Sequence, residues 1–90
     1  ISVLSNVAPA ESVAICDRFF EGKVKESCEL QLKYLPLINA LFSEVNPIPV
    51  KAAMAAMGFC EDYLRLPLTS MEEAHKKVLL DEMRNLGIKF

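Results

Sequence analysis

Lysine offers this sequence its most direct route to covalent chemistry, because an amine in apolar surroundings can form a Schiff base with a carbonyl compound. Lys51, in the segment IPVKAAM, has the most apolar neighbours of all the lysines. A helix lysine that lays its stem on apolar surface and keeps its charge in water is the far commoner case. The sequence favours that second interpretation, so Lys51 is not predicted to be a catalyst.

The other reactive residue types lack the partners that catalysis or metal binding needs. His75 is the only histidine, and no cysteine or carboxylate stands at a metal-ligand spacing from it, which predicts a surface histidine. Neither Ser2 nor Ser5 lies in a nucleophile-elbow motif of the GxSxG type. Two pairs of adjacent carboxylates have the positions of connector and helix-start charges: Glu61 with Asp62, and Glu72 with Glu73.

The composition argues against several classes of partner. Ten basic against twelve acidic residues and no tryptophan disfavour nucleic-acid binding through phosphate neutralisation. No apolar run reaches the roughly 18 residues of a membrane span, and the start does not resemble a signal peptide. The widely spaced Cys16, Cys28 and Cys60 predict reduced thiols in a cytoplasmic protein, with Cys28 and Cys60 in a core or at an interface. The sequence predicts no metal site, no cofactor and no complete catalytic constellation.

Four helices are predicted to position these residues. Pro9 suits a first helical turn, and a helix over residues 9–20 is followed by Gly22. The second helix covers about 24–43, where Pro36 predicts either a kink or a junction of two shorter helices. The third covers 50–57 and stops at Gly58, and the fourth covers about 71–86, opened by a capping box of Ser70 and Glu73. Their predicted apolar faces contain Val13, Cys16, Phe19 and Phe20; Cys28, Leu32, Leu35, Ile38 and Phe42; and Ala74, Val78, Leu79, Met83 and Leu86.

The apolar content exceeds what a small core requires. The chain has 90 residues, of which 52% are hydrophobic, and a domain of this size buries only a modest core. Either a tight helical bundle absorbs these side chains, or some of them contact polypeptide outside the chain.

The opening segment ISVLSN predicts one short strand over residues 1–4, because Ile1, Val3 and Leu4 favour extended backbone. No second strand is predicted, yet a strand must pair its backbone groups. A lone strand followed by a helix is half of a βαβ unit, the unit of parallel sheets covered by helices. We therefore expect the sheet to lie in polypeptide that precedes Ile1.

Three segments, ISVLSNVAP, LFSEVNPIPVKAAMAAMGF and LRLPLT, resemble the C-terminal third of the dihydrodipicolinate synthase family, within the pyruvate-dependent class I aldolases. The resemblance covers the whole chain and implies a (β/α)₈ barrel followed by a helical domain. Residues 1–22 would be the last β/α unit and residues 23–90 the C-terminal α-helical domain. It implies a cytoplasmic homotetramer that condenses pyruvate with aspartate semialdehyde in lysine and diaminopimelate biosynthesis, without a cofactor.

The same resemblance places the catalytic groups upstream of Ile1. The Schiff-base lysine, a tyrosine–threonine proton relay and a substrate-binding arginine all precede this chain, and Lys51 matches a different lysine. Ile1 matches a residue whose backbone carbonyl lines the substrate pocket, and it is the one site residue carried over. Two alternatives stay open: a free-standing helical interaction module, and part of a related sugar-acid aldolase or N-acetylneuraminate lyase.

Overall fold

The computed structural model describes every residue from Ile1 to Phe90, and it contains five α-helices and no β-strand. The helices are α1 (Leu4–Val7), α2 (Pro9–Phe20), α3 (Val24–Leu41), α4 (Ile48–Ala56) and α5 (Glu73–Asn85). Helix α3 is central, because it contacts all four of the others. None of the helices combines the length and the apolar character that crossing a bilayer requires.

The predicted strand over residues 1–4 does not form, so that prediction is wrong for this chain. The backbone turns instead into the short helix α1, where the Asn6 amide donates to the Val3 carbonyl over 2.9 Å and the Ala8 amide to the Leu4 carbonyl over 2.8 Å. Val3 has φ 60°, in a region that β-branched residues rarely adopt. The strand does not form because the chain offers no second strand to pair with it. Local hydrogen bonds satisfy the amides that a sheet would otherwise pair.

The four predicted helices form with small changes at their ends. Helix α2 has the predicted bounds, whereas α3 ends at Leu41 and α5 begins at Glu73. Helix α3 continues through Pro36 without dividing, which excludes the junction of two shorter helices. Pro36 is exposed, so the carbonyl group left without its usual helical donor can face water.

Gly58 ends α4 as the sequence predicts. Its φ is 86°, a left-handed value that glycine adopts without steric cost. The Phe59 amide donates to the Met54 carbonyl and the Gly58 amide to the Ala55 carbonyl, both over 3.0 Å. This pair of bonds is the Schellman arrangement, and it turns the chain away from α4.

One hydrophobic core joins α1, α3, α4 and α5, and α2 contributes no buried residue to it. Its fully buried side chains on α3 and α5 include Leu37, Leu41, Leu79 and Met83. The rest of the buried apolar cluster consists of Val3, Leu4, Val7, Ala8, Tyr34, Ala40, Ile48, Ala52, Ala53 and Met71. For α5 the prediction is confirmed at Leu79 and Met83, while Val78 from the same predicted face is 53% exposed.

The predicted apolar face of α3 is mostly the wrong one. The side that faces the core carries Ser27, Tyr34 and Leu37, whereas Leu32 and Phe42 are more than half exposed. Helix α3 is apolar on two sides, and periodicity does not tell which of them has a partner within the chain.

Helix α2 buries none of its residues. Val13, Phe19 and Phe20 from its predicted apolar face are 58%, 56% and 82% exposed. The three cysteines are also exposed and unpaired, so none is a core thiol. We call the exposed side chains of Val13, Phe19, Phe20, Leu32, Leu35 and Phe42 the outer apolar surface of α2 and α3.

Candidate functional site

The start of α5 is held by a carboxylate from a distant part of the chain. The predicted capping box of Ser70 and Glu73 does not form, and the N-cap residue is Glu72, without a side-chain cap of its own. Its backbone N–H donates to Oε2 of Glu44 over 3.1 Å, across a separation of 28 residues. Glu44 lies between α3 and α4, and its negative charge suits the positive end of a helix.

His75 completes this group. Its Nδ1 lies 2.8 Å from the same Oε2 of Glu44 and 3.3 Å from Oε2 of Glu72. The imidazole is 43% exposed, in keeping with the prediction of a surface residue. The sequence shows no carboxylate at a metal-ligand spacing from His75, and its partner in the structure, Glu44, is 31 residues away in sequence. Only the packing of the segment before α4 against α5 brings them together.

Glu44, Glu72 and His75 are all possible metal ligands, and their ligand atoms lie within 4.8 Å of one another. Hydrogen bonding accounts for the contacts: Oε2 of Glu44 accepts from the Glu72 amide, and it accepts from His75 in the tautomer that carries the ring proton on Nδ1, 2.8 Å away. In that tautomer the proton occupies the lone pair of Nδ1 that a metal would need. We therefore interpret the group as a helix cap.

Replacing Glu44 with alanine is expected to destabilise α5 by about 1 kcal/mol, because the Glu72 amide and His75 lose their acceptor. Glu44→Gln keeps an acceptor oxygen and is expected to cost less. Hydrogen exchange of the α5 amides in the full-length protein measures the difference. The control is Glu29→Ala, which removes an exposed 4.0 Å contact to Lys25 and should change stability by less than about 0.5 kcal/mol. Equal exchange in the Glu44→Ala and control variants would contradict the cap.

The residue predicted to line a substrate pocket, Ile1, borders a cleft of about 640 Å³ between the N-terminal segment and α4. Lys51 lines the same cleft, together with Ser2 and Ser5, so four of the residues considered for chemistry lie near one another. His75 is not among its lining residues. The role of Ile1 stays a prediction.

A second cleft, of about 480 Å³, shares Pro47 and Lys51 with the first. It extends toward the connector between α4 and α5, where Tyr63 and Arg65 line it. Sequence reasoning did not single out Arg65. Its only signal is its place in the segment LRLP, and that segment is interpreted as a connector. No carboxylate lies within 4.0 Å of the charged nitrogens of Lys51 or Arg65.

Burial raises the pKa of the Tyr34 hydroxyl above its ordinary value, and the negative charge of Glu11 on α2 raises it further. Tyr34 belongs to the hydrophobic core and lines neither of the two clefts. The shift therefore has a packing cause.

The helical arrangement matches known enzymes closely. A solved structure of dihydrodipicolinate synthase from Thermotoga maritima superposes with a TM-score of 0.96 at 46% identity, covering 99% of this chain and 30% of that one. The corresponding enzyme of Aquifex aeolicus gives a TM-score of 0.93 at 35% identity, covering 98% and 30%. These comparisons define the fold as that of one part of a dihydrodipicolinate synthase.

Sequence comparison identifies the family. The model of the dihydrodipicolinate synthetase family matches residues 1–86. The 4-hydroxy-tetrahydrodipicolinate synthases of Lachnoclostridium phytofermentans and Alkaliphilus oremlandii are 59% and 54% identical over 88 residues. The chain belongs to this family, and it spans about 30% of the length of these relatives while 98% of its own length is matched.

Proposed function

We propose that the chain is the C-terminal part of a 4-hydroxy-tetrahydrodipicolinate synthase, a lyase that condenses pyruvate with aspartate semialdehyde in lysine and diaminopimelate biosynthesis. The identity of 59% over 88 residues to a synthase of that name carries the proposal. A free-standing helical module is not favoured, because the chain matches only 30% of each such relative. The sugar-acid aldolases are less favoured, since the most similar curated relatives carry the synthase name.

In this proposal, the covalent chemistry belongs to polypeptide that precedes Ile1. A lysine there forms the Schiff base with pyruvate, residues 1–22 are the last β/α unit of the barrel, and residues 23–90 are its C-terminal helical domain. The carbonyl of Ile1 lines the substrate pocket, and the reaction uses no cofactor. The enzyme works in the cytoplasm as a homotetramer.

The contribution of this segment is structural: it closes the barrel, covers its wall and contributes to subunit contacts. The outer apolar surface of α2 and α3 supports this role, because residues such as Phe20 and Leu32 are 82% and 59% exposed in this chain. The occupant of that surface is the remaining polypeptide of the same protein, which makes up most of the length of its relatives.

Trapping the Schiff base tests the proposed function. The full-length protein, reduced with borohydride in the presence of pyruvate, is expected to gain one covalent adduct on a lysine outside residues 1–90, because reduction converts the imine into a stable secondary amine. Peptide mapping by mass spectrometry locates the adduct, and a sample without pyruvate is the control. The same protein should release product from pyruvate and aspartate semialdehyde.

An adduct on Lys51 or on any other lysine of this segment would overturn the proposal that the Schiff-base lysine lies outside residues 1–90. Condensation with sugar-derived aldehydes but not with aspartate semialdehyde would instead place the protein among the related aldolases.

A further inference from the structure

Two cationic side chains without acidic partners line one cleft. Lys51 on α4 and Arg65 on the following connector both border the cleft of about 480 Å³. The remaining lining residues are Pro47, Tyr63, Leu64 and Leu68. The cleft thus combines two positive charges, one hydroxyl group and apolar walls, with no aspartate or glutamate among its lining residues.

Other basic residues, Lys77 among them, also lack a carboxylate within 4.0 Å, so the distinguishing feature of Lys51 and Arg65 is that both line one cleft without an acidic residue. Arg18, Lys23 and Arg84 each lie within 3.6 Å of a carboxylate. Lys51 and Arg65 have no such neighbour within 4.0 Å, although they share a concave surface. Like charges that line one cleft raise the local positive potential, and that potential concentrates anions.

We infer that this cleft binds a small oxyanion with two negative charges, either a dicarboxylate or a phosphate. The planar guanidinium of Arg65 can donate two parallel hydrogen bonds to such a group, and the Lys51 ammonium supplies the second charge. The Tyr63 hydroxyl is a further donor at the same cleft.

The inference goes beyond the proposed function and does not depend on it. Lys51 also lines the neighbouring cleft that contains Ile1. An anion held between Lys51 and Arg65 would therefore lie beside the proposed pocket wall, where it fixes the position of the lysine side chain. Its binding can be measured whether or not the protein condenses pyruvate with an aldehyde.

The test uses crystals of the full-length protein soaked in selenate, because anomalous scattering from selenium locates a dianion directly. We expect a selenium peak between Nζ of Lys51 and the guanidinium of Arg65. Calorimetric titration with inorganic phosphate and with succinate then decides which of the two sources binds. Lys51→Met and Arg65→Met are each expected to weaken that binding about tenfold, since each removes one charge-assisted contact.

Lys77→Met is the matched control, because Lys77 is exposed and likewise has no carboxylate within 4.0 Å. Its affinity for the anion should equal that of the unaltered protein. Equal affinity in all three variants, absence of the selenium peak, or a carboxylate of the same polypeptide already filling the cleft would overturn the inference. A protein that binds the anion but does not condense pyruvate with an aldehyde would count against the proposed function only. A protein that catalyses the condensation but does not bind the anion would count against the inference only.

Discussion

The Phe20→Asp variant of the full-length protein is expected to lose about 3–5 kcal/mol of stability, comparable to truncation of a core aromatic residue. The residue is 82% exposed in this chain, so nothing within the 90 residues explains such a loss. The reason is the proposed covering of α2 by the barrel: a carboxylate there would be buried without a partner. Urea denaturation of the full-length protein measures the effect. In the 90-residue chain, where the side chain faces water, the same change should leave the helix content seen by circular dichroism unaltered.

The control for this comparison is Lys25→Ala on α3. The Lys25 side chain is 91% exposed and contributes only a weak contact to Glu29. Its removal should change stability by less than about 0.5 kcal/mol in the full-length protein. If Phe20→Asp behaves like this control, the outer face of α2 is free surface. The free-standing module would then be the better description of the chain.

The Leu41→Ala variant is expected to destabilise the helical core by about 2–5 kcal/mol, because it removes apolar contacts and leaves a cavity. Leu41 has no exposed surface and lies at the end of α3, the helix that contacts all the others. Hydrogen exchange of α3 amides in the full-length protein measures the free energy of local opening. Protection in α5 should fall as well, because Leu79 and Met83 belong to the same buried cluster.

Leu41→Met separates packing from other causes. Methionine nearly conserves the side-chain volume, so this change should cost less than about 1.5 kcal/mol. Helix propensity cannot account for the larger loss in Leu41→Ala, since alanine is the better helix former. An equal loss in both variants would mean that the site does not depend on filled volume.

The burial pattern of α3 shows that hydrophobic periodicity predicts a helix but not which of its two apolar faces is buried within the chain. Leu32, Leu35 and Phe42 recur at helical spacing as clearly as Tyr34, Leu37 and Leu41 do. Only the second set is buried in the structure. Both sets are apolar because a helix of this kind can have two covered faces, and one of the two covering partners lies outside the 90 residues in our proposal.

The candidate sites were predictable only in part. Lys51 is evident in the sequence because its immediate neighbours are apolar, and Ile1 entered through a family resemblance. Arg65 and Glu44 gave no such signal, since each acts through residues far away in the chain. Glu44 caps α5 across 28 residues, and local reasoning placed that cap on Ser70 instead.

The sequence by itself determined where the four longer helices lie and which family the chain resembles. Pro9, Gly22 and Gly58 set helix ends through the conformational limits of a few adjacent bonds, and those limits hold wherever the chain is placed. Tertiary structure decided the rest: that residues 1–4 do not form a strand, which face of α3 is buried, and that Glu44 meets His75. These outcomes depend on contacts between residues distant in sequence, and such contacts exist only once the helices have packed.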